Sequence, residues 1–100
     1  MSNNVCLITN YNYSSFISEC LYGVLNQSIP FDLVIIVDDG STDNSLNVIS
    51  QAVRGLPFVK IISKMNGGQL PAFNAAVNFI SPSDRVFFHT GGVLDGNGGP

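Results

Sequence analysis

"LVIIVDDGSTDNS", residues 33–45, runs five apolar residues straight into two adjacent carboxylates, Asp38 and Asp39, and a glycine. Apolar side chains at every position of "LVIIV" (33–37) describe a strand covered on both faces, as in a parallel sheet between helical layers. Paired acids at the end of such a strand serve a turn, a metal or a ligand, and the neighbouring segments must separate these uses.

Upstream, "VCLIT" (5–9) is a β-rich apolar run. Phe16, Ile17, Cys20, Leu21, Val24 and Leu25 then recur at helical spacing, with Ser14 or Ser15 as N-cap candidates and Pro30 beyond the end. Downstream, Leu46, Ile49, Ala52 and Val53 predict the inner stripe of a second helix, with Ser41, Thr42 or Asp43 as its cap. "FVKIIS" (58–63) reads as a third strand. Pro71 suits the first turn of a third helix whose narrow face is Ala72, Ala75, Ala76, Phe79 and Ile80, and "RVFFH" (85–89) is a fourth strand. The order β-α-β-α-β-α-β with short connections predicts a three-layer α/β/α unit on a mainly parallel sheet with right-handed crossovers. The stretch after Phe88 changes character and holds half of the ten glycines, so residues 1–88 read as the domain and 89–100 as a glycine-rich tail or a truncation end.

With 100 residues, 45% hydrophobic and 11% charged, the chain is long enough for one core and is not composed like a disordered segment. A net charge of −3, with Arg54, Lys60, Lys64 and Arg85 as the whole basic complement and no patch among them, argues against nucleic-acid binding. Cys6 and Cys20 have neither metal nor disulfide-framework spacing and read as buried thiols of a reducing compartment. The start "MSNNVCLITN" has no signal-peptide pattern and no apolar run reaches transmembrane length, so a cytoplasmic location is expected.

Ligands of open parallel α/β sheets bind outside the strands' carboxyl ends. Segments 10–13, 38–41, 64–68 and 89–91 fall there, all of them polar, aromatic or glycine-rich. Neither a P-loop nor a dinucleotide fingerprint is present. Asp38 and Asp39 repel a bare phosphate and suit donors instead: ribose hydroxyls, a base N–H or a cation. Tyr11 offers a face for a base. Each feature also has a plain structural use: an Asx turn and helix cap for "DDGSTDNS", packing for Tyr11 and Tyr13, a helix start for "NGGQLP", and a simple strand end for His89. A receiver-like phosphoacceptor module is disfavoured, because no lysine follows Lys64 and no acid ends the third strand.

Taken together, "LITNYNYSSFISECLYGVLNQSIPFDLVIIVDDGSTDNSLNVI" and "NGGQLPAFNAAV" resemble the family 2 glycosyltransferases of the GT-A fold over residues 4–88. The resemblance implies a Rossmann-like nucleotide-binding half that takes a UDP-, GDP- or dTDP-sugar for transfer to an acceptor. It implies a nucleotide site of Tyr11, Asn12, Asp38, Asp39, Asn66, Gly67 and Gly68, with the tyrosine against the base and the acids on base and ribose. Three departures stand out. Phe73 replaces an arginine that commonly contacts the donor. His89, Thr90, Gly91 and Gly92 stand where an Asp-x-Asp signature would hold Mg²⁺ or Mn²⁺, so the family's divalent metal has no evident ligands here. The acceptor half with its catalytic base is absent, so an inactive, truncated nucleotide-binding portion is expected, or else a non-catalytic binding or scaffolding domain. The sheet edge left at the fourth strand predicts possible self-association.

Overall fold

The computed structural model describes residues 3–26 and 31–91, and the part of the expected tail from residue 92 on lies outside them. The elements follow the expected order: β1 (Asn4–Asn10), α1 (Ser14–Leu25), β2 (Leu33–Asp39), α2 (Ser45–Ala52), β3 (Val59–Lys64), α3 (Gln69–Val77) and β4 (Arg85–Gly91). All strands are parallel in the order β3-β2-β1-β4, with β1 and β2 central.

Side-chain alternation along β1 and β2 splits the core in two. Cys6, Ile8, Val34 and Ile36 pack with Ile17, Leu21 and Val24 of α1 and with Ile49 of α2 and Val53 just beyond its end. Val5, Leu7, Ile35 and Val37 pack on the opposite face against Ala72 and Ala76 of α3. The small residues of α3 let its backbone lie close to the sheet, as their spacing predicts. The chain is therefore a three-layer α/β/α unit. Both cysteines are free, Cys6 buried and Cys20 partly so, and burial pushes the Cys6 thiol up to about 12.

Four local expectations change. Asn44, not Ser41, Thr42 or Asp43, holds the N-cap position of α2, with no side-chain cap bond. Ala52 is exposed, and Ser45 takes an inner position of α2 beside Ile49 and Val53. A polar residue can sit there because the Asp43 carboxylate accepts from both its amide (2.9 Å) and its hydroxyl (2.5 Å). Neither Ser14 nor Ser15 caps α1. Tyr13 holds the N-cap position with no side-chain cap bond, and the Ser14 amide donates across the edge to Asp43 Oδ2 at 3.2 Å. Phe79 lies beyond the end of α3 and is 43% exposed, with the Lys60 ammonium 4.7 Å above its ring.

The two edges of the sheet differ. The exposed rim at β3 carries Lys60, a charge that discourages pairing with another strand. At β4, Val86, Phe87 and Phe88 are all 40–48% exposed, with Phe88 edge-on to Phe73 of α3 and Phe87 edge-on to Phe31.

The contrast between centre and edge is testable. Ile36→Ala in β2 removes a fully buried side chain and is expected to destabilise the fold by about 3–4 kcal/mol. Phe88→Ala, which deletes a half-exposed ring, should lower stability by about 1 kcal/mol. Urea unfolding midpoints of the two variants against the parent chain check the ranking, and equal losses contradict the assignment of β2 to the centre.

Candidate functional site

The same alternation that divides the core continues to the end of β2 and separates the two acids. Asp38 follows Val34 and Ile36 to the α1/α2 face, and Asp39 follows Ile35 and Val37 to the α3 face. Adjacent in sequence, they organise different loops.

Asp38 is completely buried. Its Oδ1 accepts from Asn10 Nδ2 at the end of β1 (3.0 Å) and from the Ser41 hydroxyl (2.7 Å), and its Oδ2 accepts the Ser41 amide (3.0 Å). The Ser41 oxygen in turn accepts the Asn12 amide at 2.9 Å. Asn12 adopts φ +52°, a left-handed conformation that asparagine tolerates better than most residues. This turns its Oδ1 toward the next loop, where it accepts the amides of Thr42 (2.6 Å) and Asp43 (3.2 Å). The loop after β1 and the loop after β2 are thus laced together. The Asn10 amide must turn its NH₂ toward Asp38, which leaves Asn10 Oδ1 buried with no partner among the described residues.

Asp39, 6% exposed, gathers the third loop. Lys64, its register partner at the end of β3, forms an ion pair with Oδ1. The Gly67 amide donates to Oδ1 at 2.9 Å, the Gly68 amide to Oδ2 at 2.8 Å, and Asn66 Nδ2 to Oδ2 at 3.2 Å. Asn66 Nδ2 also donates to the Asp39 backbone carbonyl at 3.0 Å. The loop lies so close that a Cβ on Gly40, itself at φ +73°, would meet the Asn66 backbone nitrogen at 2.5 Å, so glycine is required there. Burial pushes the Asp39 carboxyl up, but the Lys64 bond and charge and the Gly68 and Gly67 amides outweigh it. The group ends below its ordinary value of 3.8.

All the predicted site residues therefore stand at one edge, in two sets. Asn12 and Asp38 belong to the lacing on the α1/α2 face, and Asn66, Gly67 and Gly68 converge on Asp39 at the start of α3. Tyr11, just past the end of β1, is 37% exposed, while Tyr13 stacks on Phe16 with centroids 5.1 Å apart. An open depression of about 610 Å³ is lined by Gly40, Ser41, Ser63, Lys64, Met65 and Asn66. Sequence reasoning missed Lys64, Ser41 and Asp43. The signal for Lys64 was an acid and a base ending two strands that the topology makes neighbours. Among the described residues no three His, Cys, Asp or Glu side chains come together, and the diverging, already-bonded Asp38 and Asp39 do not fit a divalent cation.

The lowered Asp39 value fixes the sign of a pH effect. A carboxylate held below its ordinary value stabilises the fold above that value, and the contribution fades as pH falls through the folded-state value. Asp39→Asn is expected to be less stable than the parent at pH 7 by roughly 2–4 kcal/mol, since it strands Lys64 and breaks charge-assisted bonds. The gap should narrow as pH drops below about 4. Chemical denaturation across pH 3–7 measures it, and a constant gap contradicts the reading.

With this geometry in view, the chain's likeness to known proteins can be placed. The sequence profile described as "Glycosyl transferase family 2" matches residues 5–87. The chain is 46% identical over 72 residues to a chondroitin synthase of Pasteurella multocida (strain Pm70), covering 72% of this chain and 8% of that one. It is 46% identical over 70 residues to an uncharacterized glycosyltransferase of Nostoc sp., covering 69% of this chain and 22% of the relative. The chain thus spans less than a quarter of either relative's length. Among solved structures it is similar to a mannosyltransferase from Pyrobaculum calidifontis in complex with GDP-Man and Mn²⁺. The TM-score is 0.68 at 24% identity, over 81% of this chain and 25% of that one, which supports the Rossmann-like GT-A fold. From the profile match over most of its length, the chain belongs to glycosyltransferase family 2.

Proposed function

We propose that this edge binds the nucleoside end of a nucleotide-diphospho-sugar, a UDP-, GDP- or dTDP-sugar, for transfer of the sugar to an acceptor. The observation that carries the reading is the Asp39 hub: a buried, ionised acceptor paired with Lys64, which lines an open depression, in a family 2 chain. In this reading Tyr11 lies against the base. Asp39 accepts a base N–H or ribose hydroxyl in place of Asn66 Nδ2, its longest contact at 3.2 Å. Asn12 and Asp38 shape the site from beneath through the laced loops, with Gly67 and Gly68 holding Asp39 from behind. The GDP-Man seen with the mannosyltransferase neighbour agrees with a nucleotide-sugar partner.

Alone, the chain binds donor without turning it over. Sugar transfer of this kind draws on a cation to neutralise the leaving diphosphate and a base to activate the acceptor hydroxyl. Among the described residues at the edge no three His, Cys, Asp or Glu side chains come together to hold a cation. A second reading, a non-catalytic binding or scaffolding domain, shares the nucleotide site and differs only in turnover by the whole protein.

Calorimetric titration of the 100-residue chain with UDP, GDP and dTDP, with and without Mn²⁺, tests both parts. Saturable binding of at least one nucleotide, unchanged by Mn²⁺, is expected. No binding of any nucleotide overturns the function, and Mn²⁺-dependent tightening overturns the account of the metal. The exposed β4 residues also support self-association through that edge, so sedimentation equilibrium should show a concentration-dependent rise in mass. A strictly monomeric species at high concentration contradicts it.

A further inference from the structure

Charge at the ligand edge is unevenly distributed. Asp38, Asp39 and Asp43 all stand there, whereas three of the four basic residues stand elsewhere. Arg54 lies between α2 and β3, Lys60 is the second residue of β3, and Arg85 opens β4, all toward the opposite end of the strands. Lys64, the last residue of β3, is the one lysine or arginine at the carboxyl edge. An ammonium carries three donors. Lys64 spends one on Asp39 Oδ1 and one on the Met65 carbonyl, while its side chain, 18% exposed, lines the depression beside Gly40, Ser41 and Asn66. Its position is built in from two directions. The β2–β3 register sets Lys64 opposite Asp39, and Gly67 leaves room for the ammonium, because a Cβ there would lie 3.2 Å from Nζ.

We infer that Lys64 is the residue that makes this edge accept an anionic ligand: it cancels the charge of Asp39 and presents its remaining N–H to the depression, so that a nucleoside diphosphate is held in preference to the neutral nucleoside. The inference rests on the nucleotide-binding reading given above and extends it to a residue outside the expected set. Without Lys64, the three carboxylates at this edge have no side-chain cation beside them to offset their field on a diphosphate. A like-charge field of that kind penalises the anionic ligand and leaves an uncharged one nearly untouched.

This difference separates the electrostatic role from a merely structural one. Lys64→Gln keeps a donor for Asp39 and removes the charge, and Lys64→Arg keeps both. The probes are whichever of UDP, GDP and dTDP binds best, and its own nucleoside, each titrated into the 100-residue chain. Lys64→Gln is expected to weaken the diphosphate roughly five- to tenfold, the size of one partly screened charge interaction, while the nucleoside changes less than about twofold. Lys64→Arg should restore the diphosphate to within about threefold of the parent, since a guanidinium carries the charge with different reach. In the parent chain, raising salt from 50 to 500 mM should weaken the diphosphate several-fold and spare the nucleoside. This second measurement decides the matter if Lys64→Gln does not fold. Equal losses for both probes, or no loss for either, overturn the role of Lys64 and leave the nucleotide site standing. A parent chain that binds neither probe removes the nucleotide reading itself, and the inference with it.

Discussion

The pleat of β2 is the constraint on which the ligand edge depends. Because successive side chains of a strand point to opposite faces, two neighbouring acids cannot serve one loop. Asp38 is delivered to the α1/α2 face and binds Asn10 and Ser41, while Asp39 is delivered to the α3 face and binds Lys64, Asn66, Gly67 and Gly68. A two-residue sequence thus fixes three loops at once. A hydrogen bond to a charged group contributes about 1.5–3 kcal/mol, and leaving a buried carboxylate unpaired costs more than that. The loops are therefore held at the places where the acids need donors. The rigidity of the edge and the burial of its acids are one phenomenon.

The parts of this arrangement legible in the sequence are the local ones. An apolar residue at every position of 33–37 described a strand buried on both faces, and β2 is central with both faces covered. Alanine spacing placed Ala72 and Ala76 against the sheet, and the element order gave the parallel topology. The illegible parts are bonds between residues far apart in the chain. Capping of α1 could not be read from Ser14 and Ser15, because the group that accepts the Ser14 amide is Asp43, 29 residues away. The apolar stripe left Ser45 out and counted Ala52 in, but Asp43 satisfies Ser45 inside the fold and Ala52 turns outward. Lys64 looked like an isolated charge because its partner is 25 residues distant. Each miss replaces a neighbour in sequence by a neighbour in space.

The residues that the resemblance to family 2 enzymes singles out all stand at one edge, but they divide by chemistry. Residues on the α1/α2 face are spent on one another: Asn12 Oδ1, Ser41 Oγ and both Asp38 oxygens all have partners within the chain. What remains open is smaller. Among the described residues Tyr11 is exposed, the Lys64 ammonium keeps one donor, and the buried Asn10 Oδ1 lacks a partner. A ligand is recognised by groups with bonds left to make, and at this edge those groups are not the laced ones.

The start of α3 explains why a glycine pair at a helix N-terminus does not make this chain a phosphate binder of the P-loop kind. Backbone amides at a helix start attract anions, through their free N–H groups and the helix dipole together. Gly67 and Gly68 supply such amides, with Gly68 at φ +96° immediately before the nine-residue helix. Here the anion is already present: Asp39 reaches over from β2 and takes both amides at 2.8–2.9 Å. A phosphate could occupy them only by expelling a buried carboxylate that is also paired with Lys64, which exchanges one anion for another with no gain in charge. The chain's own aspartate therefore diverts a ready anion site to structural use. Any anionic group of a ligand is left to the open side of Lys64.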